Sequence, residues 1–171
     1  MKILLAFILS QGINGDSLKW STKTEETKLL SLINNYRITE CKIPATTYSD
    51  SLSFVAGAHC NDLYIYYNDT SCSILSWSVH GNWSSKCINR NTTDYYVMLN
   101  KPYEVVKMMK RGLEIAHLHK DKDSPCDAEC AFKSFLRTPM FRDAIREIQL
   151  PRWKRAGVCI YKGVASVWFT E

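Results

Sequence analysis

Apolar positions recur at helical spacing near the start of the chain and alternate like strands near its end, with a long polar middle between them. In "STKTEETKLLSLINNYRI", Ser, Thr and acidic residues precede apolar residues at 29, 32, 33 and 36, the spacing of one helical stripe. "IPATTY" breaks that pattern. In "SDSLSFVAGAHCNDLYIYY", Leu52, Val55, Ala56, His59 and Leu63 share one face of a second helix, and Ser49 stands where an N-cap is needed. Residues 67–101 are rich in Asn, Ser, Thr and Gly with little periodicity, which predicts a long loop region. "KPYEVVKMMKRG" predicts a short helix after Pro102, "LEIAHLH" a strand and "KDKDSP" a solvated turn. "CDAECAFKSFLR" predicts a third substantial helix that ends before Pro139, and "MFRDAIREI" a further short helical piece. "RAGVCIYKGVASVWFTE" predicts two apolar strands joined by a Lys-Gly turn. No repeat, low-complexity tract or linker interrupts the chain, so the pattern reads as mixed α and β in one domain.

Length and charge narrow this picture. A chain of 171 residues is one ordinary domain with room for a real core. The formal net charge is +5, but Lys and Arg are interspersed with acids, which argues against a nucleic-acid stripe. "MKILLAFILSQGINGDS" reads as a signal peptide over residues 1–15, with Lys2 as its charged start, Ile3 to Leu9 as its apolar stretch, and Gly12 and Gly15 near the cut. Residues 16–171 then form a single domain. The apolar stretch is too short for a stable bilayer anchor, and no later segment approaches 18 apolar residues. The expectation is a secreted, extracellular protein with no transmembrane segment.

Cysteines and sequons agree with that compartment. Seven cysteines, at 41, 60, 72, 87, 126, 130 and 159, read as disulfides rather than metal ligands in an oxidising setting. The odd count leaves at least one thiol unpaired or bonded to another molecule. Cys159, within the apolar run "AGVCIY", is the candidate for a buried free thiol. Asn68, Asn82 and Asn91 head N-x-S/T sequons and are candidate glycosylation sites.

Candidate chemistry is sparse. His59 lies on the apolar face of the second helix and reads as a hydrogen-bonded core histidine, with a functional role left open. His80, in "ILSWSVHGNWSSKC", has the pKa range of an acid-base group or metal ligand but sits in a loop beside a sequon. His117 and His119 share one side of the "LEIAHLH" strand, a spacing that can ligate a metal. Nothing near them in the chain supplies further ligands, and Asp121 and Asp123 read as turn residues. Cys126 and Cys130 are four apart, a poor spacing for a disulfide inside a regular helix, so either the helix starts after Cys126 or each cysteine bonds elsewhere. No histidine or second cysteine pair stands at zinc-knuckle spacing from them. No nucleophile elbow, HExxH, phosphate loop or dinucleotide-binding glycine motif occurs, so no catalytic set, metal or cofactor is expected.

The order of "SLSFVAGAHCNDL", "SWSVHGNWSSKC", "NKPYEV", "GLEIA", "FLRTPMFRDAI" and "AGVCIYKGVASVWF" resembles the CAP superfamily. This superfamily comprises cysteine-rich secretory proteins, antigen-5 venom proteins, plant pathogenesis-related proteins and bacterial relatives. The likeness spans about residues 25 to 169. It implies an α+β fold, an α-β-α sandwich around a central antiparallel sheet. It also implies a groove whose histidines and acids can hold a divalent metal. Carried onto this chain, the H-S-W-S histidine falls on Leu75, the S-P-G-H-N histidine on Phe141, and the Y-E-I-A glutamate on Glu114. A second family glutamate has no matched position, Lys133 lying near one slot. The resemblance therefore implies a groove lined by Leu75, Trp77, His80, Glu114 and Phe141 that has lost both family histidines. Apart from the resemblance, Cys72 and Cys87 close about 15 residues and are a candidate staple of the "ILSWS" loop, one pairing among those the cysteines allow. The function expected is non-catalytic binding of a hydrophobic ligand, a lipid or sterol, or of an extracellular protein partner. The alternatives are an effector or toxin that recognises a receptor or glycan through its loops, and a metal-dependent hydrolase using His80, Glu114 and His117 or His119. A diverged copy that keeps the fold but has no groove function is a further alternative.

Overall fold

The structure, a computed structural model, describes residues 23–67, 71–89, 98–107, 112–119, 125–147 and 153–171. The expected signal peptide, Asn68, Asn91 and most of the "KDKDSP" turn lie outside the described residues. The elements run α1 (Lys23–Thr39), β1 (Thr47–Tyr48), α2 (Asp50–Tyr66), α3 (Lys101–Val106), β2 (Leu113–Leu118), α4 (Ala128–Arg137), α5 (Pro139–Ile145), β3 (Arg155–Tyr161) and β4 (Val164–Thr170).

The C-terminal apolar runs pair as the expected antiparallel hairpin, with Val158 opposite Val167 and the turn at Lys162, which takes a left-handed conformation. β2 joins the other side of β4, Glu114 facing Trp168. The strand order is β1-β3-β4-β2. The short strand β1, where the sequence showed only a break, adds parallel to β3 and makes the sheet mixed at that edge.

Strand alternation gives the sheet two faces. Gly157, Cys159 and Tyr161 on β3 look toward α2, where Cys60 Sγ donates to the Cys159 carbonyl and Tyr64 meets Tyr161 edge-on. Gly157 permits the closest approach: a Cβ there would lie 2.1 Å from the Leu52 and Ser53 backbone. Ser49 caps α2 as expected, accepting from the Leu52 amide at 3.4 Å. The other face carries α1, α4 and α5. There Phe169 stacks on Trp153, whose indole N–H donates to the Ala144 carbonyl of α5. Helices thus cover both faces of one sheet, an α+β sandwich.

One polar hub holds the second layer. Arg37, at the end of α1, is fully buried. It donates to the carbonyls of Pro44 and Ile145 and pairs with Glu147 at 2.6 Å. A sequence search for apolar stripes passes over this residue, because a buried arginine is acceptable only when its donors are all used.

Candidate functional site

The α2 face of the sheet carries a sealed polar pair. Helical spacing turns His59 inward from α2, and strand alternation points Glu114 of β2 up to meet it. His59 Nδ1 lies 2.5 Å from Glu114 Oε1, and Nε2 lies 2.9 Å from the Ser76 carbonyl. With Glu114 ionised, the carboxylate and the Ser76 carbonyl only accept, so both ring nitrogens donate, the imidazolium form that the raised His59 pKa favours. Ser166 Oγ donates to the same carboxylate oxygen at 2.5 Å. The Trp77 ring lies flat over His59, with centroids 4.4 Å apart. Burial opposes the charge on His59, but the Glu114 carboxylate and the hydrogen bonds to Glu114 and Ser76 outweigh it and raise the pKa.

This geometry decides what the pair can do. An imidazolium with both protons committed has no lone pair to act as a base or to bind a metal. Glu114 keeps one unpartnered oxygen, Oε2, but it is buried and stands alone. The groove metal implied by the resemblance therefore does not fit these residues. The expected core role of His59 is the one found, with Glu114 as its partner.

Beside the pair, a cavity of about 380 Å3 opens between the second half of α2 and the loop over residues 71–89. Leu63, Tyr66, Tyr67, Trp77 and Val79 give it apolar walls, and Asp62 and Lys86 add charge. Several contacts brace this loop. Cys72 and Cys87 form a disulfide, as expected, and Trp77 exchanges backbone hydrogen bonds with Lys86. Asp62 of α2 accepts from the Ser78 amide at 2.8 Å and from the Ser78 hydroxyl. Lys101 of α3 is buried, with its ammonium 5.6 Å from the Trp77 ring centroid and donating to the Ser84 carbonyl. The stretch "ILSWSVHGNWSSKC" is thus both a braced loop and one wall of the cavity.

The structure gathers only part of the expected groove. Trp77 and Glu114 are joined through His59, and Leu75 is buried nearby in the core. His80 is exposed and stacks on Tyr66, with centroids 4.0 Å apart, so it does not enter the position of Leu75. Phe141 corrects the expectation: it packs edge-on against Phe135 of α4, in the helix layer on the opposite face of the sheet from Glu114. The disulfide candidates Cys41, Cys60, Cys126 and Cys130 carry free thiols, as does Cys159. Cys60 and Cys159 meet each other across the α2 interface, and Cys126 precedes α4, whose N-cap is Asp127. On that opposite face His117 finds Cys126 and Cys130, partners that the local sequence around "HLH" did not offer. Among the described residues the exposed Asn82 remains a glycosylation candidate.

Comparison with known proteins locates the architecture. No protein-family model and no curated protein sequence matches the chain. Solved structures do. An extracellular protein containing an SCP domain from Bacillus anthracis aligns over 86% of this chain with a TM-score of 0.59 at 14% identity. A cysteine-rich secretory protein from Staphylococcus aureus aligns over 85% with a TM-score of 0.54 at 11% identity. The chain spans only 40% and 38% of those two proteins. An outer surface protein from Borrelia burgdorferi aligns over 87% of this chain and 93% of its own length, with a TM-score of 0.58 at 16% identity. The chain adopts the fold of the SCP domain, the fold that its motif order resembles.

Proposed function

We propose that the chain is a secreted, extracellular binding domain without catalytic activity, and that the cavity between α2 and the 71–89 loop takes the apolar part of a lipid or sterol. The observation that carries this reading is the cavity itself. Its volume lies in the range of small-molecule sites, and Leu63, Tyr66, Tyr67, Trp77 and Val79 give it apolar walls beside the polar groups of Asp62, Lys86 and three serines. The sealed His59–Glu114 pair supports the non-catalytic part. The similar structures are an extracellular, a secretory and an outer-surface protein, which supports the compartment. No helix among the described residues is long and apolar enough to cross a membrane.

Val79 and Tyr66, both exposed at the cavity, allow a test that spares the core. Solvent extracts of the purified secreted protein are compared with those of Val79→Lys and Tyr66→Ser by mass spectrometry. The reading predicts lipid enriched in the parent and depleted several-fold in both variants. An extract no richer than that of the variants refutes it. In that case the same exposed side chains favour the second reading, in which the cavity mouth receives an apolar side chain of a protein partner.

A further inference from the structure

We propose that His117, Cys126 and Cys130 form a binding site for a thiolate-seeking divalent cation, zinc in the first instance, on the face of the sheet opposite the cavity. A ring nitrogen of His117 and the two Sγ atoms all lie within 4.8 Å of one another. Tetrahedral zinc with bonds of about 2.0–2.3 Å spaces its ligand atoms about 3.3–3.8 Å apart, so small side-chain rotations close the site.

The local structure assembles the three ligands from two elements. Strand alternation turns His117 of β2 away from Glu114 and toward α4. Cys126 lies just before that helix and Cys130 in its first turn, with the Asp127 side chain accepting from the Cys130 amide at 2.8 Å. Ser134, one turn beyond Cys130, contacts His117 Nδ1 at 2.8 Å. With the proton on Nδ1, this hydrogen bond fixes the ring and leaves the lone pair on Nε2. That atom is buried and has no hydrogen-bond partner. A metal-bound histidine needs this arrangement: one nitrogen anchored by a neighbour, the other free to ligate. Cys126 is buried, while Cys130 and His117 are half-buried, which gives an ion a way in.

The charges balance. Zinc displaces one proton from each thiol, two in all, and the resulting Zn²⁺ with two thiolates and a neutral imidazole carries no net charge. A neutral site is compatible with partial burial. Three protein ligands leave a fourth position for water or an exogenous ligand. A Cys126–Cys130 disulfide is the competing state; forming it removes two electrons and two protons and needs an external oxidant.

The test uses the intact secreted protein, purified without reductant or chelator. Native mass spectrometry counts bound zinc, and competition with a chromophoric chelator measures affinity. The expected result is one zinc per chain, with Cys126 and Cys130 shielded from alkylation until the metal is removed. His117→Ala and Cys130→Ser should each weaken binding by at least about tenfold, and Ser134→Ala, which removes only the ring anchor, by about tenfold. Cys41→Ser should leave binding unchanged. Circular dichroism confirms that each variant is folded, and Ser134→Ala stands in where a ligand variant is not. Absence of zinc binding, a Cys126–Cys130 disulfide in the peptide map, or zinc affinity indifferent to both His117→Ala and Ser134→Ala would overturn the site.

Discussion

At the residue scale, His59 shows how little a residue type says before its partners are known. Its place on an apolar helical face was readable, and so was its burial. The two acceptor contacts that set its protonation were not, because the Glu114 carboxylate, itself accepting from Ser166, and the Ser76 carbonyl come from the sheet and a loop elsewhere in the chain. Removing one member of a buried pair leaves the other charge without compensation. His59→Leu should therefore destabilise the protein by about 3–5 kcal/mol, read by chemical denaturation at neutral pH. An effect below about 1 kcal/mol would mean that the pair is not ionised as described.

The raised pKa of His59 gives this pair a pH signature with a definite sign. The folded-state value lies above the ordinary one, so the contribution is fully present below the unfolded value of about 6.5. It is lost as pH rises through the folded value, once the buried ring must give up a proton that the unfolded chain has already released. Stability attributable to His59 should fall from neutral pH toward alkaline pH. Subtracting the His59→Leu profile from that of the parent isolates it. A difference that grows with pH instead would contradict the assignment.

At the scale of elements, the sequence was most informative where packing repeats and least where chain segments meet. The α2 face, the α4 and α5 helices and the β3–β4 hairpin were legible, since each is set by local periodicity and caps. β1 was not, because two residues at a sheet edge carry no period. The matching of Phe141 to a groove histidine placed it by motif, whereas α5 packs on the far side of the sheet. His117 was judged by its neighbours in sequence, and its partners arrive with α4. Gly157 tests the α2–sheet contact directly. Its Cβ would collide with helix backbone, which cannot swing aside as a side chain can. Gly157→Ala should cost about 1–3 kcal/mol or more, measured by thermal or urea unfolding. An unchanged midpoint would show that α2 sits further from β3 than described.

At the scale of the molecule, a braced loop, a sealed ion pair and a cavity share one face of an SCP-type sandwich. The buried pair removes an acid-base group from solvent and builds the floor under Trp77, and the disulfide and Lys101 hold the loop that forms the opposite wall. That combination suits holding an apolar ligand better than transforming one. The most direct test is a native mass spectrum of the folded protein, treated with glycosidase and recorded before and after gentle collisional heating. A lipid held in the cavity adds a mass on the order of a few hundred daltons that heating removes, as fits a cavity of this size. A bare chain mass under conditions that preserve the fold would contradict lipid binding there.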